Sequence, residues 1–293
     1  MLYWSQAKEL LDIFKLHTKT TGITKCHGFG KERIITNPSG SSCRIYPKYE
    51  IKFTEWGRGI TWLISFIERK DGFKYGKIDA TFNPRLLFGE DNYITASNEK
   101  YIDKIPRKYN SIIKEISDEI PLFSEYALTR VDYCVNFDLE ELWLRIPTEK
   151  MMQLLKRAND WGQFKERLVY NKTSHRWLSE DNCFYLKTNR VNINNYWKYP
   201  QFLKDYPDTP SIEESKNVIR FEVQFKSPKI CEHRKAWTCS TPEWQRTEFN
   251  FLKYMLSDKM SEYVVTDYFD KVIRPGNYYY SIPTKTLDII FSI

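Results

Sequence analysis

The chain has 293 residues, of which 41% are hydrophobic and 28% charged, and its formal net charge is +7. This length allows a sizeable core in one large domain or two smaller ones. The longest apolar runs, such as residues 60–67, are too short to cross a bilayer, which argues against a membrane protein, and the basic balance favours polyanionic partners.

The N-terminal segment and the cysteines favour a reducing, cytoplasmic setting. Residues 1–14 lack both the basic n-region and the continuous apolar h-region of a signal peptide. A chain of this size needs no disulfides, and the cysteines show no paired spacing. They are Cys26, Cys43, Cys134, Cys183, Cys231 and Cys239.

Aromatic residues are numerous, with 9 Trp, 20 Tyr and 18 Phe. Basic residues interleaved with aromatic residues are typical of proteins that bind single-stranded nucleic acid, because phosphates need cations and unstacked bases need flat partners. Aromatic rings also fill hydrophobic cores. The composition therefore favours nucleic acid without deciding the question.

The first half of the chain predicts a β-rich region and one helix. Residues 1–40 fit both a helix and a strand. Residues 44–82 predict a three-stranded meander with turns at the Gly-Arg-Gly and Lys-Asp-Gly segments. Residues 106–120 place apolar side chains on one stripe and predict a helix.

The second half predicts strands at residues 127–138, 183–199 and 218–226, with a helix beginning near Pro147. From Ser227 to about residue 270 the pattern is helical. The order of elements predicts an α+β fold, with a mostly antiparallel central sheet, helices on one face and a helical C-terminal region. We expect an α+β core over residues 1–226 and a mainly helical region over residues 227–293.

Three of these strands have concentrated polar faces. In residues 129–138 the polar set is Arg130, Asp132, Cys134, Asn136 and Asp138. The other two strands alternate in the same way, and their polar sets include Tyr196, Lys198, Arg220 and Glu222. If the strands are neighbours, carboxylates could bind a divalent cation and the basic side chains could bind phosphates. A solvated face of an antiparallel sheet alternates identically without any function, so the pattern alone leaves both interpretations open.

The order of the motifs resembles a known family. The chain contains Arg130-Val131-Asp132, then residues 193–198 with the sequence Ile-Asn-Asn-Tyr-Trp-Lys, and then Arg220-Phe221-Glu222. These segments are similar to motifs in the replication initiation proteins of rolling-circle plasmids, some phages and integrative elements. The resemblance is clearest over roughly residues 75–235, about half of the chain.

This resemblance implies a metal-dependent enzyme that nicks DNA and transfers strands. A tyrosine hydroxyl attacks one phosphodiester, releases a free 3′-OH for a polymerase and keeps the 5′-phosphate as a tyrosyl ester. Tyr196 is the implied nucleophile, with Tyr199 as the second choice, and Lys198 is expected to balance charge near the scissile phosphate. Asp132 and Glu222 are the implied ligands of Mg²⁺ or Mn²⁺. The implied DNA-binding residues are Arg130, Arg190, Arg220 and Lys226.

The resemblance also implies partners. The first is origin DNA that is partly single-stranded, which would be nicked to initiate rolling-circle replication. Further candidate partners are a host helicase, a host polymerase and a second copy of the chain in a homodimer.

One departure from the related nickases leaves an alternative open. Many of them carry a His-hydrophobic-His metal motif, and none of the four histidines (17, 27, 175 and 233) forms one. The remaining possibilities are a carboxylate-based site or a non-catalytic DNA-binding regulator or replication accessory protein with the same fold.

Overall fold

The computed structural model describes residues 2–36, 41–54, 59–89, 99–141, 145–158, 164–166, 168–171, 176–178, 182–205, 212–272 and 287–292. The chain divides into two compact units. The first contains Met1–Asp91, Asp103–Ala127 and Ser292–Ile293, and the second contains Asn92–Ile102 and Leu128–Phe291.

The first unit is an antiparallel sheet with helices packed on one face. Its strands are β1 (Leu2–Tyr3), β2 (Thr24–Phe29), β3 (Arg33–Thr36), β4 (Ser42–Ile45), β5 (Lys48–Phe53), β6 (Ile60–Arg69) and β7 (Lys74–Phe82). Its helices are α1 (Trp4–Thr21), α2 (Pro84–Leu87) and α3 (Ile105–Lys114). The strands β2, β5, β6 and β7 are neighbours in that order, β1 pairs with β7, and β4 pairs with both β3 and β6.

Helix α1 resolves the ambiguity of the first 40 residues. Its buried side chains Ala7, Leu10, Leu11 and Phe14 follow a helical period and pack on the sheet, where Phe14 lies 5.1 Å from Trp62 between ring centroids. The segment does not form a strand, although its sequence also alternates, because only a helix places all four of these apolar side chains against one surface. Gly22, in the left-handed conformation, ends the helix.

The strands of the predicted meander are present in the described parts of residues 44–82, with one interruption. The turn predicted at the Gly-Arg-Gly segment falls largely outside the described residues. The segment predicted as the meander's first strand splits into β4 and β5 on either side of Tyr46 and Pro47. Proline lacks the N–H that a continuous strand would need at this point. The predicted helix over residues 106–120 is also present, but α3 ends at Lys114.

The second unit holds a second set of strands and most of the helices. Its strands are β8 (Arg130–Asp138), β9 (Lys165–Glu166), β10 (Val169–Asn171), β11 (Arg176–Leu178), β12 (Cys183–Lys187), β13 (Val191–Trp197), β14 (Val218–Phe225) and β15 (Leu287–Ser292). Its helices are α4 (Thr148–Ala158), α5 (Lys198–Asp205), α6 (Ser227–Ser240), α7 (Glu248–Met255) and α8 (Asp258–Val272). The strand order is β15-β8-β14-β13-β12-β9, and β10 and β11 form a separate hairpin. Across the described residues of both units, short 3₁₀ turns cover Glu99–Lys104, Phe123–Glu125, Glu214–Asn217 and Glu243–Gln245, of which Phe123–Glu125 belongs to the first unit.

Residues 183–199, predicted as one β segment, form a hairpin followed by a helix. Thr188 turns the chain between β12 and β13, because its side-chain oxygen accepts hydrogen bonds from the N–H groups of Arg190 and Val191. Strand β13 ends at Trp197, and Lys198 is the first residue of α5 rather than part of the strand.

The apolar face of β8 and β14 packs against α8. The Phe269 ring lies 5.4 Å from the Phe137 ring and 5.2 Å from the Phe221 ring. The buried hydroxyl of Tyr133 donates a hydrogen bond of 2.7 Å to the Met255 carbonyl. The predicted α+β class, with an antiparallel sheet and C-terminal helices, is therefore confirmed.

The division into units differs from the boundary predicted at residue 226. Helices α6 and α8 pack on β8 and β14, so the helical region and these strands belong to one unit, and the units divide near residue 127 instead. Within the described residues, no helix has the length and apolar character that crossing a bilayer requires.

Gly76 in β7 allows α1 to approach the sheet closely. A Cβ atom added at Gly76 would lie 2.1 Å from the Cβ of Ala7. We expect Gly76→Ala to lower the free energy of unfolding by about 1–3 kcal/mol, because α1 must move away from β7. Urea unfolding measures this change.

The control is Ala7→Gly, which removes the opposing methyl group and costs about 1 kcal/mol by helix propensity. The double variant should lose less free energy of unfolding than the sum of the losses in the two single variants. Strict additivity would contradict a steric contact between these positions.

Candidate functional site

The register of β13, β14 and β8 brings nine polar or aromatic side chains to one side of the sheet. Directly paired residues of antiparallel strands point to the same face. The three rows are Asn192-Gln224-Asp132, Asn194-Glu222-Cys134 and Tyr196-Arg220-Asn136. We call these nine side chains the polar face.

Hydrogen bonds run across the polar face. Asn192 Nδ2 donates to Gln224 Oε1 over 2.7 Å, and Gln224 Nε2 donates to Asp132 Oδ2 over 3.3 Å. In the second row, Glu222 Oε1 accepts from Asn194 Nδ2 at 2.7 Å and Oε2 accepts from Cys134 Sγ at 3.7 Å. The polar face is thus a bonded network rather than a set of side chains extended into water.

Asp132 is buried, with 1% of its surface exposed, and Arg130 is its cationic partner. The guanidinium of Arg130 contacts both carboxylate oxygens, with Nε donating to Oδ1 over 2.8 Å and Nη2 donating to Oδ2. Burial raises the pKa of Asp132 to about 7, the hydrogen bond from Arg130 lowers it, and the charge of Glu222 raises it. Asp132 therefore keeps its proton at pH values where an ordinary aspartate is ionised.

Glu222 occupies the centre of the polar face and is 7% exposed. From the register, its Cα is a diagonal neighbour of both Asp132 and Tyr196, at about 8 Å from each. Asp132 and Tyr196 lie at opposite corners, with Cα atoms roughly 16–17 Å apart. Asp132 and Glu222 can therefore share one ligand, and Glu222 and Tyr196 can share one, but Asp132 cannot reach the Tyr196 hydroxyl.

The tyrosines near the motif differ in position. Tyr196 is half-buried on the polar face, and Tyr185 of β12, which pairs with Asn194, lies on the same face. Tyr199, the second choice from the sequence, is on α5 with its ring 5.7 Å from Trp197, whose register places it on the apolar side. Tyr133 is buried on the apolar side. Tyr185 is therefore a better alternative to Tyr196 than Tyr199.

Lys198 lies beside Tyr196 although it begins α5. Its Nζ is 5.5 Å from the Tyr196 ring centroid and 3.2 Å from Gln201 Oε1, and the residue is 4% exposed. The lysine and the tyrosine thus remain close, as the motif implied.

The predicted DNA-binding cations are not equivalent. Arg220 is 3% exposed and donates through Nε to Asn136 Oδ1 over 2.8 Å, so it supports the sheet and is out of reach of a DNA backbone. Arg190 has an exposed side chain and forms an ion pair of 2.5 Å with Glu232. Lys226 Nζ donates to the Thr188 carbonyl over 2.7 Å. Arg130, Arg190 and Lys226 lie at one end of β8, β13 and β14, and they are the cations that DNA phosphates could reach.

The donor chemistry of the polar face fits a hard cation. Among the described residues, no group of three or more His, Cys, Asp or Glu side chains gathers around one point. Mg²⁺, however, is commonly held by one or two protein carboxylates together with substrate phosphates. Asp132 and Glu222 supply these carboxylates, and the buried Asn192 Oδ1, which has no hydrogen-bond partner among the described residues, supplies a further oxygen.

The sequence motifs did not assign a role to Cys134, Asn136, Asn192, Asn194 or Gln224. Each contacts or neighbours a motif residue through the rows of the polar face. The two-residue alternation of the strands could have identified these residues, because they lie on the same polar side as the motif residues.

Asp132 makes stability depend on pH. The pKa of an unfolded aspartate is about 3.9, so the folded protein keeps this proton at pH values where the unfolded chain has lost it. The stability from this group is complete below about pH 4 and is lost as the pH rises through about 7. Asp132→Asn cannot ionise and should lack this loss.

Between about pH 5 and pH 8 the wild type should lose on the order of 2–3 kcal/mol of its free energy of unfolding that Asp132→Asn does not lose. The difference between the two proteins should therefore shift by this amount in favour of the variant. Urea unfolding at both pH values measures the change. The matched control is Asp12→Asn, at a side chain that is 75% exposed, which should show no such difference. An identical response of both variants would contradict the burial effect.

Comparisons with protein-family models, with curated proteins and with solved structures return no match to this chain. The resemblance to rolling-circle initiators therefore stays a prediction, which depends on the three motifs.

Proposed function

We propose that the protein is a metal-dependent, site-specific DNA nickase and strand transferase that initiates rolling-circle replication of a plasmid, phage or integrative element. The observation that carries this proposal is the common face of Tyr196, Glu222 and Asp132 on three hydrogen-bonded strands. Three motifs from separate parts of the sequence thus contribute to one surface, as a phosphoryl-transfer site requires.

In the proposed reaction, the Tyr196 oxygen attacks a DNA phosphorus and forms a phosphotyrosyl bond. The bond from phosphorus to the 3′-oxygen breaks, the tyrosine proton leaves to solvent or a nearby base, and the released 3′-oxygen takes up a proton. Because the phosphotyrosyl ester retains the energy of the phosphodiester, a second 3′-OH can attack it and rejoin a strand. Tyrosine is useful here because it stores the phosphate covalently.

The other residues have supporting roles in this proposal. Asp132 and Glu222 would hold Mg²⁺ or Mn²⁺, which when bound withdraws negative charge from the phosphate. Lys198 balances charge beside the Tyr196 ring. Arg130, Arg190 and Lys226 would hold the neighbouring DNA backbone.

Substrate access favours the Tyr196 side of the polar face. Asp132 and Lys198 are buried, whereas Tyr196 and Asn194 are half-buried. We expect a partly single-stranded origin to approach along β13, with the metal site reached by the phosphate from that side. The proposal includes a host helicase and a host polymerase as partners. It also includes a cytoplasmic setting, with which the six free thiols are compatible.

A second candidate function is a DNA-binding regulator that does not cut. All four carboxylate oxygens of Asp132 and Glu222 already accept hydrogen bonds from side chains, which is the arrangement expected of a structural network. This candidate predicts specific, salt-sensitive DNA binding and no covalent adduct with any metal.

The proposal predicts that supercoiled DNA carrying the cognate origin becomes open circles with protein attached at the 5′ end when Mg²⁺ or Mn²⁺ is present. Tyr196→Phe should abolish both products, because it lacks the attacking oxygen. Gel electrophoresis detects the nick, and mass spectrometry of the trapped adduct identifies the modified tyrosine.

The matched controls are Tyr185→Phe on the same face and Tyr199→Phe on α5, and both should retain nicking. Nicking by Tyr196→Phe at the wild-type rate would refute the assignment of the nucleophile. Specific origin binding without an adduct in the wild type would favour the regulator.

A further inference from the structure

We infer that the first unit carries a separate surface for single-stranded DNA on the side of its sheet opposite α1. The surface consists of Tyr3, Phe73 and Tyr75 with Arg69, Lys70 and Lys77, and we call it the aromatic edge. It shares no residue with the polar face. The chemistry of the edge points to a single strand, and only the choice of DNA over RNA rests on the proposed function.

The register places the three aromatic rings on one side of the sheet. Tyr3 pairs directly with Tyr75, so both side chains point to the same face. Phe73 precedes Tyr75 by two residues and shares that side, whereas Gly76 points to the opposite side, where Ala7 of α1 packs. Tyr3 is 72% exposed and Phe73 is 43% exposed. The helices of the first unit therefore leave these rings available.

The rings form a preorganised stacking platform. Phe73 and Tyr75 have centroids 6.0 Å apart and an interplanar angle of 28°. The tight turn before Phe73 is held by a hydrogen bond of 2.9 Å from Arg69 N–H to the Phe73 carbonyl and by one of 3.0 Å from Phe73 N–H to Asp71 Oδ1. Little order is lost when a base stacks on rings that are already held in this way.

A groove adjoins the platform. It has a volume of about 600 Å³, and its lining residues include the rings of Phe73 and Tyr75, the cations Arg69 and Lys70, and the carboxylate Asp71. This volume lies within the range of about 300–1,000 Å³ that is typical of ligand-binding pockets. A base on the aromatic rings would thus have its phosphates beside the cations of the turn.

The charge of the surrounding sheet favours a polyanion. The side chains of β2, β5, β6 and β7 on this side include five cations and two carboxylates. They are Lys25, Lys48, Lys52, Arg69 and Lys77 against Glu50 and Asp79. Lys52 pairs with Glu50, Lys77 pairs with Asp79, and Arg69 pairs with Asp71 of the adjoining turn. The five cations therefore still outnumber these three carboxylates on the side of the rings.

These features favour a single strand over a duplex or a protein. Single-strand binding combines a basic track with aromatic rings, because each unstacked base presents a flat face, while the bases of a duplex are stacked on one another. An exposed protein-binding patch is more apolar and less positively charged at its centre. DNA is the chosen strand because nicking and strand displacement at an origin produce it.

The test measures binding of a fluorescent 20-nucleotide DNA by anisotropy, with the full chain, in EDTA, so that no nicking occurs. We expect the double variant Phe73→Ala/Tyr75→Ala to weaken binding roughly tenfold or more, because it removes two of the rings on which bases would stack. Arg69→Ala/Lys70→Ala should weaken binding and also reduce its salt dependence.

The matched control is Tyr263→Ala, at a 62% exposed aromatic residue of α8, which should bind as wild type does. Circular dichroism melts verify that each variant is folded, and the arginine–lysine variant tests the surface without altering a ring. Unchanged affinity in both double variants, or tighter binding of a matched duplex, would overturn the inference. Equal binding of the matching RNA would overturn the assignment to DNA.

This experiment separates the inference from the proposed function. Binding in EDTA is measured without the nicking reaction, so failure of Tyr196 to form an adduct leaves the result unaffected. Conversely, normal nicking of supercoiled DNA by Phe73→Ala/Tyr75→Ala with unchanged strand affinity would support the nickase and overturn the aromatic edge.

Discussion

The antiparallel register between β13, β14 and β8 is the constraint on which the candidate site depends. A slip of one residue would move every side chain to the other side of the sheet. Both faces oppose such a slip. Phe221 and Phe137 pack against Phe269 on one side, and Asn192, Gln224 and Asp132 are hydrogen-bonded in a row on the other. The core therefore holds the polar face in alignment, and the polar network specifies the register of the core strands.

The burial of Asp132 explains the chemistry of this face. A carboxylate removed from water is costly unless a cation and hydrogen bonds compensate for it. Arg130 provides a two-point contact, yet burial still raises the pKa of Asp132 to about 7, with a smaller contribution from the charge of Glu222. All four carboxylate oxygens of Asp132 and Glu222 accept hydrogen bonds from neighbouring side chains. The same network also explains why a ligand must compete with bonds that the protein makes to itself.

The first unit has a different organisation, which follows from one close approach. Ala7 meets the sheet at Gly76, where the absence of a side chain lets α1 lie against β7. Trp62 and Phe14 fill the core on that side, and Trp62 Nε1 donates to the buried Tyr109 hydroxyl over 3.2 Å. Burial raises the pKa of Tyr109 to about 12, so this hydroxyl remains a neutral part of the core. The other side of the sheet keeps its aromatic and basic residues in contact with solvent.

The sequence by itself determined the α+β class, the strand at residues 130–138 and the two-residue alternation that puts Asp132, Glu222 and Tyr196 on polar sides, because these depend on local periodicity. It could not decide between helix and strand for residues 4–21, since that choice depends on which surface the segment buries. Likewise, the sequence did not show that the strand is interrupted at Pro47, because the break is defined by the separate pairing of β4 and β5 with β6. Only the tertiary structure decided that Arg220 and Asp132 are buried and that Glu222, rather than Asp132, neighbours Tyr196. Those relations depend on strand order and register, which are set by contacts between segments far apart in the chain.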